Sequence, residues 1–295
     1  MNKVLLVGSE GFIGRHVAQE LAANGYKVIG TTRKGRANSD KVTLDALDFD
    51  QTCEVIRKLR PNYIVNCAGV LENSEAASAN VIISMNLLRS VYESGVKLEK
   101  CIVTGSAAEY GIVKKLPVAE SDPVIPTSEY GRQKHEEVVQ SLEYGKEKEI
   151  PVVVARVFNP IGRGMAERQL IPSLLRQLKT GSPEVEVSRA DSKRDYIDIR
   201  DVAVAYRLLL EPKKLNHRVY NVGSGVSTSN RRLVELLVES MNVEMPKVVE
   251  KVKEAEPMVA SQADVSRITS DLQWKVKHSL EETIREIVSH EPEVK

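Results

Sequence analysis

An α/β fold, a doubly wound parallel sheet carrying a smaller α/β lobe, is what this sequence predicts, and three observations carry the prediction. Short apolar runs alternate with stretches of helical periodicity from Val4 to Val157, the rhythm that crossovers between parallel strands require. The first run, Val4 to Val7, leads directly into Gly8, Gly11 and Gly14 and then into the helical pattern Ile13, Val17, Leu21. Such a glycine turn between strand and helix lets backbone approach a pyrophosphate, while the helix start offers unpaired N–H donors and a favourable dipole. After Pro160 the rhythm changes, and a helix with Leu170, Ile171, Leu174, Leu175 and Leu178 ends at Gly181, which reads as entry into a second lobe. The expected division is 1–160 for a Rossmann nucleotide-binding domain, with 200–223 returning to it. Residues 161–199 and 224–295 are left for a substrate-binding lobe, formed mainly by the C-terminal part.

Along the chain, Asn24-Gly25 closes the first helix and Tyr26 to Thr31 reads as the second strand. At the tip of that strand an acidic residue would accept the ribose 2′-hydroxyl of NAD, but the residues here are Thr31, Thr32, Arg33 and Lys34. A guanidinium suits a 2′-phosphate, so NADPH is the favoured cofactor and NAD the alternative; a solvated basic loop is the competing reading. Val42 to Leu44 forms a third strand, after which Asp45, next to Ala46, can accept the adenine amino group. Asp48 or Asp50 caps the helix bearing Val55, Ile56 and Leu59. Tyr63 to Cys67 is the fourth strand and ends in Asn66-Cys67-Ala68-Gly69, small residues across which a cofactor can lie. The helix with Val81, Met85, Leu88 and Tyr92 reads as core. Cys101 to Thr104, Val152 to Val157 and Val219 to Val222 supply further strands. Asp201 is placed to cap the helix with Val202, Ala205, Leu208 and Leu209, and Leu233 to Met241 and Leu280 to Val288 are helical.

The formal charge is +1 with both signs interspersed, which leaves no electrostatic footprint for nucleic acid or an anionic membrane. No apolar run approaches the roughly 18 residues of a membrane span, and the chain opens straight into a strand, so a cytoplasmic protein is expected. Cys53, Cys67 and Cys101 are odd in number and show no Cys-x-x-Cys spacing, suggesting buried thiols rather than a disulfide framework or zinc site. An oligomeric state is not readable from these patterns, and a homodimer is left open.

The chemistry concentrates at Tyr130-Gly-Arg-Gln-Lys134, where a helix begins after the loop Pro123 to Thr127. One helical turn stacks residues i and i+4, so phenol and ammonium can face one pocket, and a cation beside a phenol favours phenolate. That is a proton donor and acceptor for carbonyl and alcohol chemistry. Tyr110 with Lys114 and Tyr144 with Lys148 share the spacing. Gly111 breaks the first as a helix, and neither follows a strand-and-loop entrance as Tyr130 does. Ser106, in Thr104-Gly-Ser-Ala-Ala-Glu-Tyr-Gly111, would sit at the carboxyl end of a strand, where open parallel sheets bind ligands.

Taken together, Gly8-Ser-Glu-Gly11-Phe-Ile-Gly14, Asn66-Cys-Ala-Gly69, Ser106, Tyr130 with Lys134, Arg156-Val-Phe-Asn159-Pro-Ile-Gly162, Arg194-Asp-Tyr-Ile-Asp-Ile-Arg-Asp201, Tyr220-Asn-Val-Gly-Ser-Gly225 and the closing Asp264-Val-Ser-Arg-Ile with Trp274 resemble the extended short-chain dehydrogenase/reductases. The resemblance is to their nucleotide-sugar branch, the NAD-dependent epimerase/dehydratase family, and it covers nearly the whole chain. It implies a nucleoside-diphosphate sugar as substrate, Ser106 bonding the substrate oxygen, Tyr130 as acid/base, and Lys134 tuning the tyrosine and holding the nicotinamide ribose. The implied cofactor contacts are Gly8, Gly11, Phe12, Ile13, Gly14, Thr32, Arg33, Asp45, Ala46, Cys67, Ala68, Gly69, Thr104 and Val157 together with Tyr130 and Lys134. Ser106, Ala107, Asn159, Arg163 and Arg194 are the implied substrate contacts, an arginine clamping the diphosphate; a surface ion pair of Arg194 with Asp195 or Asp191 is the alternative.

Dehydratases of this kind carry an acidic pair directly after the catalytic hydroxyl residue, and here those positions are Ala107 and Ala108, with Glu109 one place later. The motifs look most like GDP-4-keto-6-deoxy-D-mannose reductases, so a 4-ketoreductase is expected first. A nucleotide-sugar 4-epimerase comes second, and a non-catalytic cofactor-sensing module third. Two departures from that group are a shorter loop between Gly69 and Asn80, and Gln273 where glycine commonly precedes Trp274.

Overall fold

The computed structural model describes residues 2–33, 35, 38–69, 78–251 and 260–290. In chain order the first half comprises β1 (Lys3–Val7), α1 (Phe12–Ala23), β2 (Lys27–Thr32), β3 (Lys41–Thr43), α2 (Phe49–Leu59), β4 (Tyr63–Asn66), α3 (Ala79–Ser94), β5 (Lys100–Ser106), α4 (Glu129–Glu147) and β6 (Val152–Val157). The second half is β7 (Asn159–Ile161), α5 (Leu170–Lys179), β8 (Glu184–Val187), β9 (Lys193–Asp198), α6 (Ile199–Leu210), β10 (Val219–Val222), β11 (Ser227–Ser229), α7 (Asn230–Met241), β12 (Lys247–Glu250), α8 (Ser266–Leu272) and α9 (Leu280–Ser289).

Seven strands form one sheet in the order β3-β2-β1-β4-β5-β6-β10, every neighbouring pair parallel. Alternation along β1 explains why both faces must be covered: Val4 and Leu6 point into one core, with α1 and α6, whereas Leu5 and Val7 point into the other, with α2, α3 and α4. The strand order reverses between β1 and β4, and the crevice at the carboxyl ends of these two strands is where such sheets bind ligands. The glycine turn opens there. Gly8 has φ +77°, and a Cβ on it would stand 2.5 Å from the Ala68 amide nitrogen, so the turn and the end of β4 touch backbone to backbone.

Outside the seven-stranded sheet stand the sheet β11-β9-β7, the parallel pair β8 and β12, and a core shared by α5, α7 and α9 that buries Leu174, Leu175, Val185, Leu233, Leu237 and Ile284. Within the 224–295 stretch, Ile268 of α8 and Trp274 pack into the core that α1 and α6 share on the main sheet, and the Trp274 indole donates to the Asp201 carbonyl at 3.1 Å.

Asp48 caps α2, accepting from the Gln51 amide. At α6 the expectation is corrected. The helix begins at Ile199, so Asp198 is the cap, accepting from the Arg200 amide, while Asp201 falls in the first turn. The buried Asp201 carboxylate instead accepts from the amides of Lys277 and His278, tying the tail to the helix. Among the described residues no helix is long and apolar enough to cross a membrane, and no three His, Cys, Asp or Glu side chains are grouped to hold a metal ion. All three cysteines are free thiols, and burial pushes those of Cys67 and Cys101 up to about 12.

Candidate active site

At the end of β5 the backbone leaves the sheet in a single 3-10 turn, Ala107–Tyr110. Ser106 caps it: its hydroxyl accepts from the Ala108 amide at 3.2 Å, and its own amide donates to Glu109 Oε1 at 2.8 Å. The other oxygen of Glu109 accepts from Arg156 Nη2 at 2.8 Å, and the guanidinium stacks 4.6 Å from the Tyr110 ring centre. Glu109 is therefore fully buried behind the turn, and of the four turn residues Ala107 and Ala108 line the cleft in front. The Tyr110 phenol is buried too, donating to Asn221 Oδ1 at 2.8 Å. This removes Tyr110 from the candidate acid/base pairs.

Helix α4 starts against that turn. Ser128 caps it by accepting from the Gly131 amide at 3.0 Å, and a Cβ on Gly131 would come within 2.4 Å of the Ala108 carbonyl oxygen. The glycine thus lets the helix start lie on the turn, so Tyr130 and Ser106 line one cleft of about 640 Å³. Lys134, one turn on, is 4% exposed and ion-paired with Glu137. Glu137 Oε1 accepts from the Ser84 hydroxyl at 2.6 Å, and Ser84 accepts from Asn66 Nδ2 at 2.8 Å, so the ammonium hangs from a buried chain reaching the end of β4. Burial works against the charged ammonium, but Glu137, Tyr130 and Glu109 outweigh it and hold the Lys134 pKa above the ordinary lysine value. For Glu137 burial prevails over Lys134 and Ser84, and its carboxyl is pushed up. The third pair, Tyr144 with Lys148, sits elsewhere: the ammonium lies 4.7 Å from the Tyr92 ring centre and 5.9 Å from that of Tyr144, and neither residue lines the cleft.

Most of the expected cofactor positions surround the same space. Gly11, Phe12, Ile13, Cys67, Ala68, Gly69, Thr104 and Val157 line the cleft with Tyr130 and Lys134. Gly11 caps α1 without a side-chain hydrogen bond, the first turn carries no acidic residue, and a Cβ on Gly14 would meet the Gly8 carbonyl oxygen at 2.1 Å. Backbone donors free of side-chain caps, in a cradle that only glycine leaves open, fit the pyrophosphate of a dinucleotide. At the far end of the crevice Thr32 is buried and Arg33 exposed, while Lys34 lies outside the described residues. Asp45 is exposed, with one oxygen accepting from the Leu47 amide at 3.1 Å; Ala46 is buried, its carbonyl accepting from Asn86 at 3.0 Å.

On the substrate side Ala107, Asn159 and Arg194 line the cleft. The buried Asp195 carboxylate beside Arg194 accepts from the amides of Ser224, Gly225 and Ala263. Arg163 is exposed and borders a separate small recess with His16, Asp198 and Glu286 rather than the cleft. The short loop expected after Gly69 falls largely at 70–77, outside the described residues. Sequence reasoning missed Phe158, Met165, Ile171 and Tyr196, which give the lobe side of the cleft an apolar lining. Beside the crevice, Glu10 of the glycine turn has a carboxylate that accepts from the Thr32 hydroxyl at 3.2 Å and pairs with Lys41 at 3.0 Å, contacts that the sequence reading did not foresee. The signal available for Glu10 was an acid inside an otherwise small-residue turn.

Residues 4–223 match the model of the NAD dependent epimerase/dehydratase family, and the chain belongs to that family. It is an NAD(P)-dependent enzyme of the short-chain dehydrogenase/reductase type. A dTDP-6-deoxy-L-talose 4-dehydrogenase (NAD(P)(+)) of Kitasatospora kifunensis is 29% identical, the alignment covering 97% of this chain and 94% of that protein. The structure of RMD from Pseudomonas aeruginosa complexed with NADPH matches with TM-score 0.85 and 28% identity over 98% of each chain. A UDP-glucose 4-epimerase from Thermotoga maritima with UDP-glucose matches with TM-score 0.86 and 26% identity, again over 98% of each chain.

Proposed function

We propose that this chain is a nucleotide-sugar 4-ketoreductase, acting on C4 of a nucleoside-diphosphate 4-keto-6-deoxysugar with NADPH in preference to NADH. The observation that carries the reading is the wall beside Ser106: Ala107 and Ala108 face the cleft, and Glu109 is sealed behind them by Ser106 and Arg156. Eliminating water from a sugar needs an acid for the departing hydroxyl and a base for the ring proton, and this wall offers neither. Adding a proton to a carbonyl oxygen needs a single donor, and Tyr130 is one.

The nicotinamide cofactor supplies the hydride when bound. Tyr130 gives its proton to the C4 oxygen, and Ser106 hydrogen-bonds the same oxygen and holds it in line. Lys134, kept charged by Glu137, stabilises the phenolate left behind. The methyl groups of Ala107 and Ala108 leave the sugar face unopposed by charge. Asn159 and Arg194 line the cleft, and the Arg194 guanidinium suits the diphosphate of the nucleotide. The NADPH preference rests on Arg33 at the tip of β2.

The test is to mix purified protein with GDP-, dTDP- and UDP-linked 4-keto-6-deoxysugars and follow loss of reduced cofactor. Consumption with one of them is expected, and silence with all three would remove the reductase assignment. A 4-epimerase is the second reading, favoured by the fit to the Thermotoga maritima epimerase and by the sufficiency of the same hydroxyl, phenol and lysine. NAD retained through purification with no net cofactor turnover would select it.

A further inference from the structure

The pyrophosphate cradle lies at the start of α1 and the reacting end of the cleft lies toward Tyr130, so the adenosine half of the cofactor must run the other way, over the carboxyl ends of β2 and β3. In this chain the strand tip itself holds no acid. An acid nevertheless stands there, delivered by the neighbouring turn. The Thr32 hydroxyl, at the last residue of β2, accepts from the Gly35 amide at 3.0 Å and so directs its proton to Glu10 Oε2 at 3.2 Å. Glu10 Oε1 pairs with Lys41, at the first residue of β3, at 3.0 Å. The carboxylate therefore links the carboxyl tip of β2, over which the adenosine ribose has to lie, to the first residue of the parallel strand β3.

We propose that Glu10 is the residue that admits NAD(H) to this site, its carboxylate accepting the ribose 2′-hydroxyl, and that it opposes Arg33 in choosing between the two cofactors. A carboxylate is an acceptor only, so it can serve a hydroxyl and not a phosphate. A 2′-phosphate brings close to two negative charges to the same place and must be held by Arg33 and by Lys41 released from its pair. Arg33 alone would make the site strongly selective for NADPH; Glu10 narrows that selectivity by stabilising the bound hydroxyl form and repelling the phosphate form. This proposal rests on the reading of the cleft as a dinucleotide site but not on which sugar is reduced.

Calorimetric titration of NADH and NADPH into wild type, Glu10→Gln and Lys41→Met tests it without any turnover. Glu10→Gln should weaken NADH and tighten NADPH, moving the ratio of their dissociation constants by about tenfold, the size of one charge-assisted hydrogen bond. Lys41→Met leaves the carboxylate uncompensated and should move the ratio the other way. Equal changes for both cofactors in Glu10→Gln, or an unchanged ratio, would overturn the role of Glu10 while leaving the dinucleotide site intact. Binding of neither cofactor by wild type would overturn the dinucleotide reading itself. Should Glu10→Gln fail to fold, the Lys41→Met ratio decides: no movement toward NADH overturns the proposal.

Discussion

Lys134 and Glu137 sit one turn apart on α4 as an ion pair sealed from water, with Ser84 and Asn66 continuing the contact to the end of β4. Removing one partner of a buried pair leaves an uncompensated charge, so Glu137→Gln should lower unfolding stability in urea by about 3 kcal/mol. A lysine raised above its ordinary value contributes stability that is complete below that value and is lost as pH rises through the folded one. Without Glu137 burial prevails and the ammonium loses its proton earlier. The alkaline limb of kcat/KM should then move to lower pH; a profile superimposable on wild type would show that Glu137 does not support the charge on Lys134.

Tyr130→Phe keeps the ring in the cleft and removes only the group that moves a proton. Turnover should fall by roughly a hundredfold to ten-thousandfold, with cofactor affinity close to wild type. Lys134→Ala should weaken turnover and cofactor binding together. A Phe variant retaining about a third of wild-type turnover, well outside the range for a lost general acid, would show that another group supplies the proton.

Arg33 is exposed at the tip of β2, where screening holds any contribution to the low end of its range. Arg33→Ala should weaken NADPH by about tenfold and leave NADH nearly untouched, the difference shrinking as salt is added. Asp45→Ala should weaken both cofactors alike, since adenine is common to them. Salt titrations of the two cofactors against each variant provide the measurement, and an NADPH affinity unchanged in Arg33→Ala at low salt would mean that Arg33 plays no part.

Asp198 caps α6, pairs with Arg200 through both oxygens at 2.9 and 2.7 Å, and accepts from the Thr283 hydroxyl at 2.7 Å. Burial works to raise its pKa, but Arg200 and Thr283 outweigh it and hold the carboxyl below the ordinary aspartate value. Its contribution is complete above that value, about pH 4, and disappears as pH falls through the lower folded value. Asp198→Asn keeps the cap and should cost about 2 kcal/mol at neutral pH. The gap from wild type should close in acid; a gap independent of pH would mean that the loss is one of packing.

Gln273 ends α8 in the left-handed region at φ +54°, with its side chain exposed. Only glycine occupies that region without a Cβ clash. Gln273→Gly should therefore stabilise the protein by roughly 0.5–1 kcal/mol and raise the midpoint of thermal unfolding. A lowered midpoint would show that the glutamine makes a compensating contact.

The strands of the main sheet, the glycine turn and Tyr130 with Lys134 were legible in the sequence. Each is a local pattern: a short apolar run buried on both faces, a spacing of glycines after a strand, a residue pair one turn apart. The sequence alone could argue among three Tyr-x-x-x-Lys pairs from their flanks, but their spacing is identical, and what separates them is burial. Tyr110 is spent on Asn221, 111 residues away, and Tyr144 lies outside the cleft. The fate of Glu109 was likewise decided by Arg156, 47 residues on, and that of Glu10 by Thr32, 22 residues on. Asp198 rather than Asp201 became the cap because the helix begins where β9 ends, and β7 and β11 are three-residue strands defined by their partners rather than by any periodicity of their own. Local periodicity reports which face of an element is buried; which polar group meets which across the chain depends on how the buried faces close on one another, and that is settled only in the folded molecule.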